Sequence, residues 1–123
     1  MKECKFQKSL NIITREFKEC KKVLLAIGDD TRQAIIIALL ESDCNGIRVG
    51  EITKKTHLSR PAVSHHLKIL KESGIINMRR EGTKNYYYMD ANKRQWEKVS
   101  SLVNHIYDVV KEFEPIDKRQ VDE

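Results

Sequence analysis

The chain has 123 residues, 33% of them charged and 40% hydrophobic, with a net charge of +5, two prolines and five glycines. That length supports one domain around one core, the composition is not that of a disordered chain, and so few breakers predict a mainly helical protein. No apolar run of about 18 residues is present and the lysine-bearing start has no apolar segment, so neither a membrane span nor a secretory signal is expected and a cytoplasmic protein follows.

Residues 6–27 are predicted as one long helix, because Phe6, Leu10, Ile13, Phe17, Cys20, Leu24 and Ile27 recur at alternating spacings of four and three. Gly28, Asp29 and Asp30 break that pattern, and either aspartate can cap the next helix. That helix, near 31–42, carries Ala34–Leu40, apolar nearly all round, and is the expected central core helix. Ser42–Gly46, with Cys44, is a polar turn. Ile47–Val49 is too short for a free strand but can pair with later ones. Gly50–Thr56 is a short helix with Val49 and Ile52 inward, and His57–Ser59 a tight turn. Ser59 caps a helix running to about Ser73, with Pro61 in its first turn and Gly74 at its left-handed end. Ile75–Arg80 and Lys84–Met89 are predicted strands around Glu81-Gly82-Thr83. A last helix spans about Asn92–Phe113, ended by Pro115, with a frayed tail over 118–123.

The charge is concentrated. Residues 1–46 carry net +1, residues 47–94 net +7 and residues 95–123 net −3. A basic middle segment points to a polyanion, most often nucleic acid; a lysine-rich solvated surface is the plainer alternative. Two short helices joined by a tight turn form the layout of a helix-turn-helix. On the second, Val63, Leu67 and Leu70 share one side at i, i+4, i+7, while Pro61, Ser64, His65, Lys68 and Glu72 fall on the other and His66 lies at the edge. The apolar side grips the body of the protein and the other side enters a DNA major groove. The DNA-facing set on this helix is Ser59, Arg60, Pro61, Ala62, Ser64, His65 and Lys68. Arg60 is placed equally well to read guanine or to clamp a phosphate. The hairpin brings a basic wing: Arg79, Arg80, Gly82, Thr83, Lys84 and Tyr86.

These residues carry a resemblance. Leu58-Ser59-Arg60-Pro61-Ala62-Val63-Ser64-His65-His66-Leu67-Lys68-Ile69-Leu70, then Gly74-Ile75-Ile76, then Arg79-Arg80-Glu81-Gly82 running to Tyr86-Tyr87-Tyr88, resembles the winged-helix DNA-binding domain of the ArsR/SmtB family of bacterial repressors. Ala26–Arg32 is similar to that family's entry into its second helix. The resemblance implies a single winged helix-turn-helix domain over 1–123, mainly α with a small β-hairpin. It implies a homodimer that binds a double-stranded operator and represses transcription. Within it, 47–90 bind DNA, while 1–28 and 92–114 form the dimerisation helices.

The dimer expectation has its own support in the sequence. Phe6, Leu10, Ile13 and Phe17 on the first helix, and Trp96, Val99, Val103, Ile106 and Val110 on the last (a stripe that Phe113 extends), give more apolar surface than one small domain covers.

The chain departs from the family in its sensing residues. Family metal sensors carry a Cys-x-Cys pair on the first helix of the helix-turn-helix, but Val49–Lys55 holds no thiol. The last helix offers only His105 and Asp108, at i, i+3. Cys4, Cys20 and Cys44 are odd in number, widely spaced and contain no CxxC pair, which argues against a disulfide framework. His105, Asp108, Cys20 and Cys44 are thus thin metal candidates, and neither a bound metal nor a cofactor is expected. His57 stands where the family usually has Gly, at a turn whose backbone calls for positive φ. No carboxylate pair, phosphate loop or nucleophile constellation is present, so no enzyme is expected. A metal- or thiol-responsive repressor of the same fold, and a winged helix used for RNA or protein contact, stand as alternatives; any inducer is left open.

Overall fold

The structure is a computed structural model describing residues 5–90 and 93–113. Cys4, Asn92, Pro115 and the 118–123 tail lie outside those residues. The elements are α1 (Gln7–Glu19), α2 (Lys21–Ile27), α3 (Asp30–Leu40), α4 (Val49–Thr56), α5 (Arg60–Glu72), β1 (Ile76–Glu81), β2 (Lys84–Met89) and α6 (Lys93–Glu112). The chain divides into two compact units, residues 21–95 and residues 1–20 with 96–123.

In the first unit α3 packs on α2, α4, α5 and β2. Asp29 caps it, its carboxylate accepting the Arg32 backbone N–H at 2.9 Å. Only one face of α3 is covered, with Ile35, Ala38 and Leu39 buried while Ile37 and Leu40 are exposed. The all-round apolar run therefore does not mean all-round burial: neighbours occupy one side only. Val63, Leu67 and Leu70 of α5 are fully buried beside Ile52 of α4 and Ile75 and Ile76 leading into β1. At roughly 1.5–3 kcal/mol for each large side chain buried, this face holds α5 in place.

β1 and β2 pair antiparallel from Ile76↔Met89 to Glu81↔Lys84. That leaves a two-residue loop, Gly82-Thr83, one residue shorter than expected. Gly82 takes φ 64° at its first position, the II′ arrangement that matches strand twist. Ile47 forms the anticipated small strand contact, bridging Tyr87 with backbone hydrogen bonds of 2.9 and 2.8 Å. Gly46 beside it has φ 99°, and a Cβ there would meet the Tyr87 carbonyl oxygen at 2.9 Å.

The predicted 6–27 helix is two helices. Cys20 sits at φ −93°, ψ 3°, its N–H closing α1 on the Glu16 carbonyl, and α2 starts afresh at Lys21. The break turns a new face inward: Val23 and Ala26 are buried, whereas the seam residues Leu24 and Ile27 are half-buried.

In the second unit α1 runs antiparallel to α6. The Phe6 and Phe113 rings meet at 4.8 Å, and Glu16 near the other end of α1 reaches Ser101 and His105. Ile13, Cys20, Leu102 and Val109 are buried. Leu10, Phe17, Trp96, Val103, Tyr107, Val110 and Phe113 are exposed. The burial on α6 thus falls on Leu102 and Val109, one position to the side of the stripe read from the sequence.

Candidate nucleic-acid interface

The turn between α4 and α5 is made by local chemistry. The Thr53 and Thr56 hydroxyls donate back to the Gly50 and Ile52 carbonyls at 2.6 and 2.7 Å. His57 then takes the left-handed conformation (φ 61°, ψ 23°), its N–H bonding the Thr53 carbonyl. It is the only non-glycine with positive φ among the described residues, as its place in the turn predicts. Ser59 caps α5, its hydroxyl accepting the Ala62 N–H at 3.2 Å, and Pro61 lies in the first turn, where no N–H is needed.

The two faces of α5 separate as the spacing predicts. Ser59, Arg60, Pro61, Ser64, His65 and Lys68 are exposed, Ala62 and His66 are half-buried, and Val63, Leu67 and Leu70 are sealed. His66 meets the Arg32 guanidinium, Nη1 to Nδ1, at 3.2 Å. Arg32 also donates to the Ala26 and Leu25 carbonyls at 2.8 and 3.1 Å. The end of α2, the start of α3 and the edge of α5 are thereby tied by one side chain that the sequence reading passed over.

The wing residues divide into tethered and open ones. Arg79 donates to Glu81 at 2.7 Å and to the Asn45 carbonyl, and lies over the Tyr86 ring at 4.8 Å. Arg80 folds back on the Gly82 carbonyl at 2.9 Å. Gly82, Thr83 and Lys84 at the tip are exposed.

Between α4, the start of α5 and the wing lies a cleft of about 590 Å³, lined by Arg48, Val49, Gly50, Glu51, Lys54, Arg60, Thr83 and Asn85. Arg48 and Lys54 were not singled out from sequence. Only the crossing of α4 and α5 brings them beside Arg60.

The thin metal candidates are dispersed. His105 Nδ1 lies 2.7 Å from Glu16 Oε1, and Asp108 pairs with Lys111 at 3.7 Å. Cys44 is exposed on its turn and Cys20 is buried. Among the described residues no group of three or more His, Cys, Asp or Glu side chains is placed to hold a metal ion. Burial pushes the Cys20 thiol up from its ordinary pKa, which disfavours the reactive thiolate. Glu16 is held below the usual carboxylate range by the Ser101 hydroxyl first and by His105 second. Asp29 is lowered chiefly by the Arg32 backbone N–H.

A capped helix with a buried apolar side and an exposed polar side, preceded by a short helix and a left-handed turn and followed by a basic hairpin, defines a winged helix-turn-helix DNA-binding regulator of transcription. Known proteins agree. Residues 29–78 match the family described as bacterial regulatory protein, arsR family. An uncharacterized HTH-type transcriptional regulator of Methanocaldococcus jannaschii is 36% identical over 74 residues, 60% of this chain and 81% of that protein. The transcriptional repressor SdpR of Bacillus subtilis is 33% identical over 84 residues, 68% of this chain and 89% of its own. In fold, the transcriptional repressor BigR from Xylella fastidiosa superposes with a TM-score of 0.57 at 24% identity, over 80% of this chain and 93% of that one. The chain belongs to the arsR family of bacterial regulatory proteins.

Proposed function

We propose that this protein is a dimeric, sequence-specific repressor that lays α5 in the major groove of its operator. The observation that carries the reading is the sorting of α5. Ser59, Arg60, Pro61, Ser64, His65 and Lys68 of its DNA-facing set stand at the surface, with Ala62 half-buried among them, while Val63, Leu67 and Leu70 are sealed below. Ser64 and His65 are assigned to base edges, with Ser59, Pro61 and Ala62 bringing the helix N-terminus close to the duplex. Lys68, Arg80, Thr83 and Lys84 are assigned to phosphates, with Gly82 letting the wing tip approach closely. Arg79 and Tyr86 brace one another and present the wing.

Repression follows from occupancy: a protein seated on a promoter excludes the polymerase. SdpR and BigR carry the word repressor in their names. The uncovered apolar side chains of α1 and α6 support pairing with a second copy. Residues 1–28 and 92–114 are then the dimerisation segments and 47–90 the DNA-binding segment of one domain. The protein works as a binding module rather than an enzyme, and in the cytoplasm, where duplex DNA is found. A metal- or thiol-triggered form of the same repressor gains nothing from a buried Cys20 with a raised pKa or from a His105 engaged with Glu16.

The test is selection of bound duplexes from a random pool, followed by footprinting and a promoter–reporter assay. A reproducible, two-fold symmetric site and reduced reporter output are expected. Tighter binding to structured RNA than to any selected duplex would overturn the reading. The double change Ser64→Ala, His65→Ala is expected to flatten discrimination between operator and random DNA by roughly 1–3 kcal/mol per lost base contact.

A further inference from the structure

The cleft between α4, α5 and the wing has a charge pattern that the major-groove reading leaves unused. Arg48, Lys54 and Arg60 line it, against the single carboxylate of Glu51. Among the described residues none of the three cations is ion-paired. Glu51 lies near the Arg48 backbone N–H at 3.4 Å. The Arg60 guanidinium does not reach straight out from α5. A Cβ built on Gly50 would meet its Nη2 at 3.3 Å, so it lies along the first turn of α4. Asn85 and Thr83 of the wing line the same space.

Three cations from α4 and α5, converging on an open cleft about as large as a small-ligand site, fit an anion with several oxygens. Val49 and Gly50, the first turn of α4, complete the lining, and helix N–H groups there favour an anion further. We propose that this cleft seats a phosphodiester of one DNA strand, with Arg48, Lys54 and Arg60 as its cations, so that Arg60 is a backbone clamp and not a reader of guanine. The assignment rests on the DNA-binding reading above and settles the choice that the sequence left open at Arg60. Because α4 and α5 both hold the same phosphate, the seat fixes the depth and angle at which α5 enters the groove.

The experiment measures affinity for a labelled random-sequence duplex and for the selected operator between about 50 and 200 mM salt. The proteins compared are the unaltered chain, Arg48→Gln, Lys54→Gln, Arg60→Gln, the triple variant and Arg60→Lys. Emptying the seat in the triple variant is expected to lower the slope of log affinity against log salt by about 0.9, the value for one phosphate, and each single Gln variant to lower it by part of that. Both duplexes should weaken by the same factor. Arg60→Lys should keep the slope and the operator preference, since a point charge still serves a phosphate. Circular dichroism confirms folding, and the exposed Lys54→Gln keeps the test open should the triple variant unfold. Folded variants with an unchanged slope, or an Arg60→Gln protein that selectively loses operator preference, would overturn the assignment while leaving the DNA-binding reading intact. An unaltered protein that binds neither duplex would overturn both.

Discussion

Arg32 ties the end of α2 and the start of α3 to the edge of α5. Its Nε and Nη2 terminate α2 on the Ala26 and Leu25 carbonyls, its Nη1 reaches His66 at the edge of α5, and its backbone N–H is held by Asp29. A planar fork makes those bonds at once, which a lysine cannot. Arg32→Ala leaves two helix-end carbonyls without their charged donor, and hydrogen bonds of that kind are worth about 1.5–3 kcal/mol each. Urea unfolding is expected to show a loss of at least about 2 kcal/mol, with Arg32→Lys recovering only part. A change below about 0.5 kcal/mol would show that the brace is incidental. Asp29 adds a pH dependence of known sign. Its carboxyl is lowered in the folded state by the Arg32 N–H, so its contribution is complete above the ordinary aspartate range and is lost as pH falls through the lowered folded value. Stability measured on acidification from about pH 5 should therefore fall less steeply in Asp29→Asn, which keeps a good cap but has no charge to lose.

At the scale of elements, the α4–turn–α5 stretch shows what local chemistry specifies. His57 holds a left-handed backbone at the turn, where a side chain costs roughly 1–2 kcal/mol and glycine avoids it. Glycine's extra freedom in the unfolded chain takes back part of that gain. His57→Gly is expected to stabilise by up to about 1 kcal/mol, and Ser59→Ala, losing the cap on Ala62, to destabilise by about the same; thermal unfolding reads both. α5 was legible because its cap, its proline, its apolar spacing and Gly74 all sit within fifteen or so residues of one another. The break at Cys20 was not. The four-and-three spacing runs through it in phase, and Cys20 is itself buried, so no polar residue, proline or glycine marks the interruption. The cleft was not legible either. Arg48, Lys54 and Arg60 are six apart in sequence at each step and meet only because α4 and α5 cross. Arg79 was read as a wing contact from its charge, but its bonds to Glu81 and Asn45 and its place over Tyr86 are tertiary facts.

At the scale of the whole molecule, the open question in the sequence was why two long helices carry so much apolar surface. α6 answers it by having two apolar edges. One, with Leu102 and Val109, is buried within the chain; the other, with Val103, Val110 and Phe113, is 54%, 57% and 55% exposed. Exposed apolar side chains repeating along about three turns of α6, with Leu10 and Phe17 also open on α1, are of the kind that marks an association surface. In the dimer proposed above, a second copy would present the same stripe, so that a two-fold contact would be self-complementary and would supply two recognition helices for two half-sites. Val103 and Val110 are the positions to change, because neither contributes to the buried core and a charge there leaves the protomer's own packing intact. In sedimentation velocity the unaltered protein is expected to run as a dimer at micromolar concentration. Val103→Glu with Val110→Glu should run as a folded monomer, with an unchanged circular dichroism spectrum. That monomer should lose most of its operator preference while keeping weak binding to random DNA, since each half-site contact survives but the two no longer add. A monomeric unaltered protein with full operator affinity would remove the need for the second copy and with it the role assigned to α1 and α6.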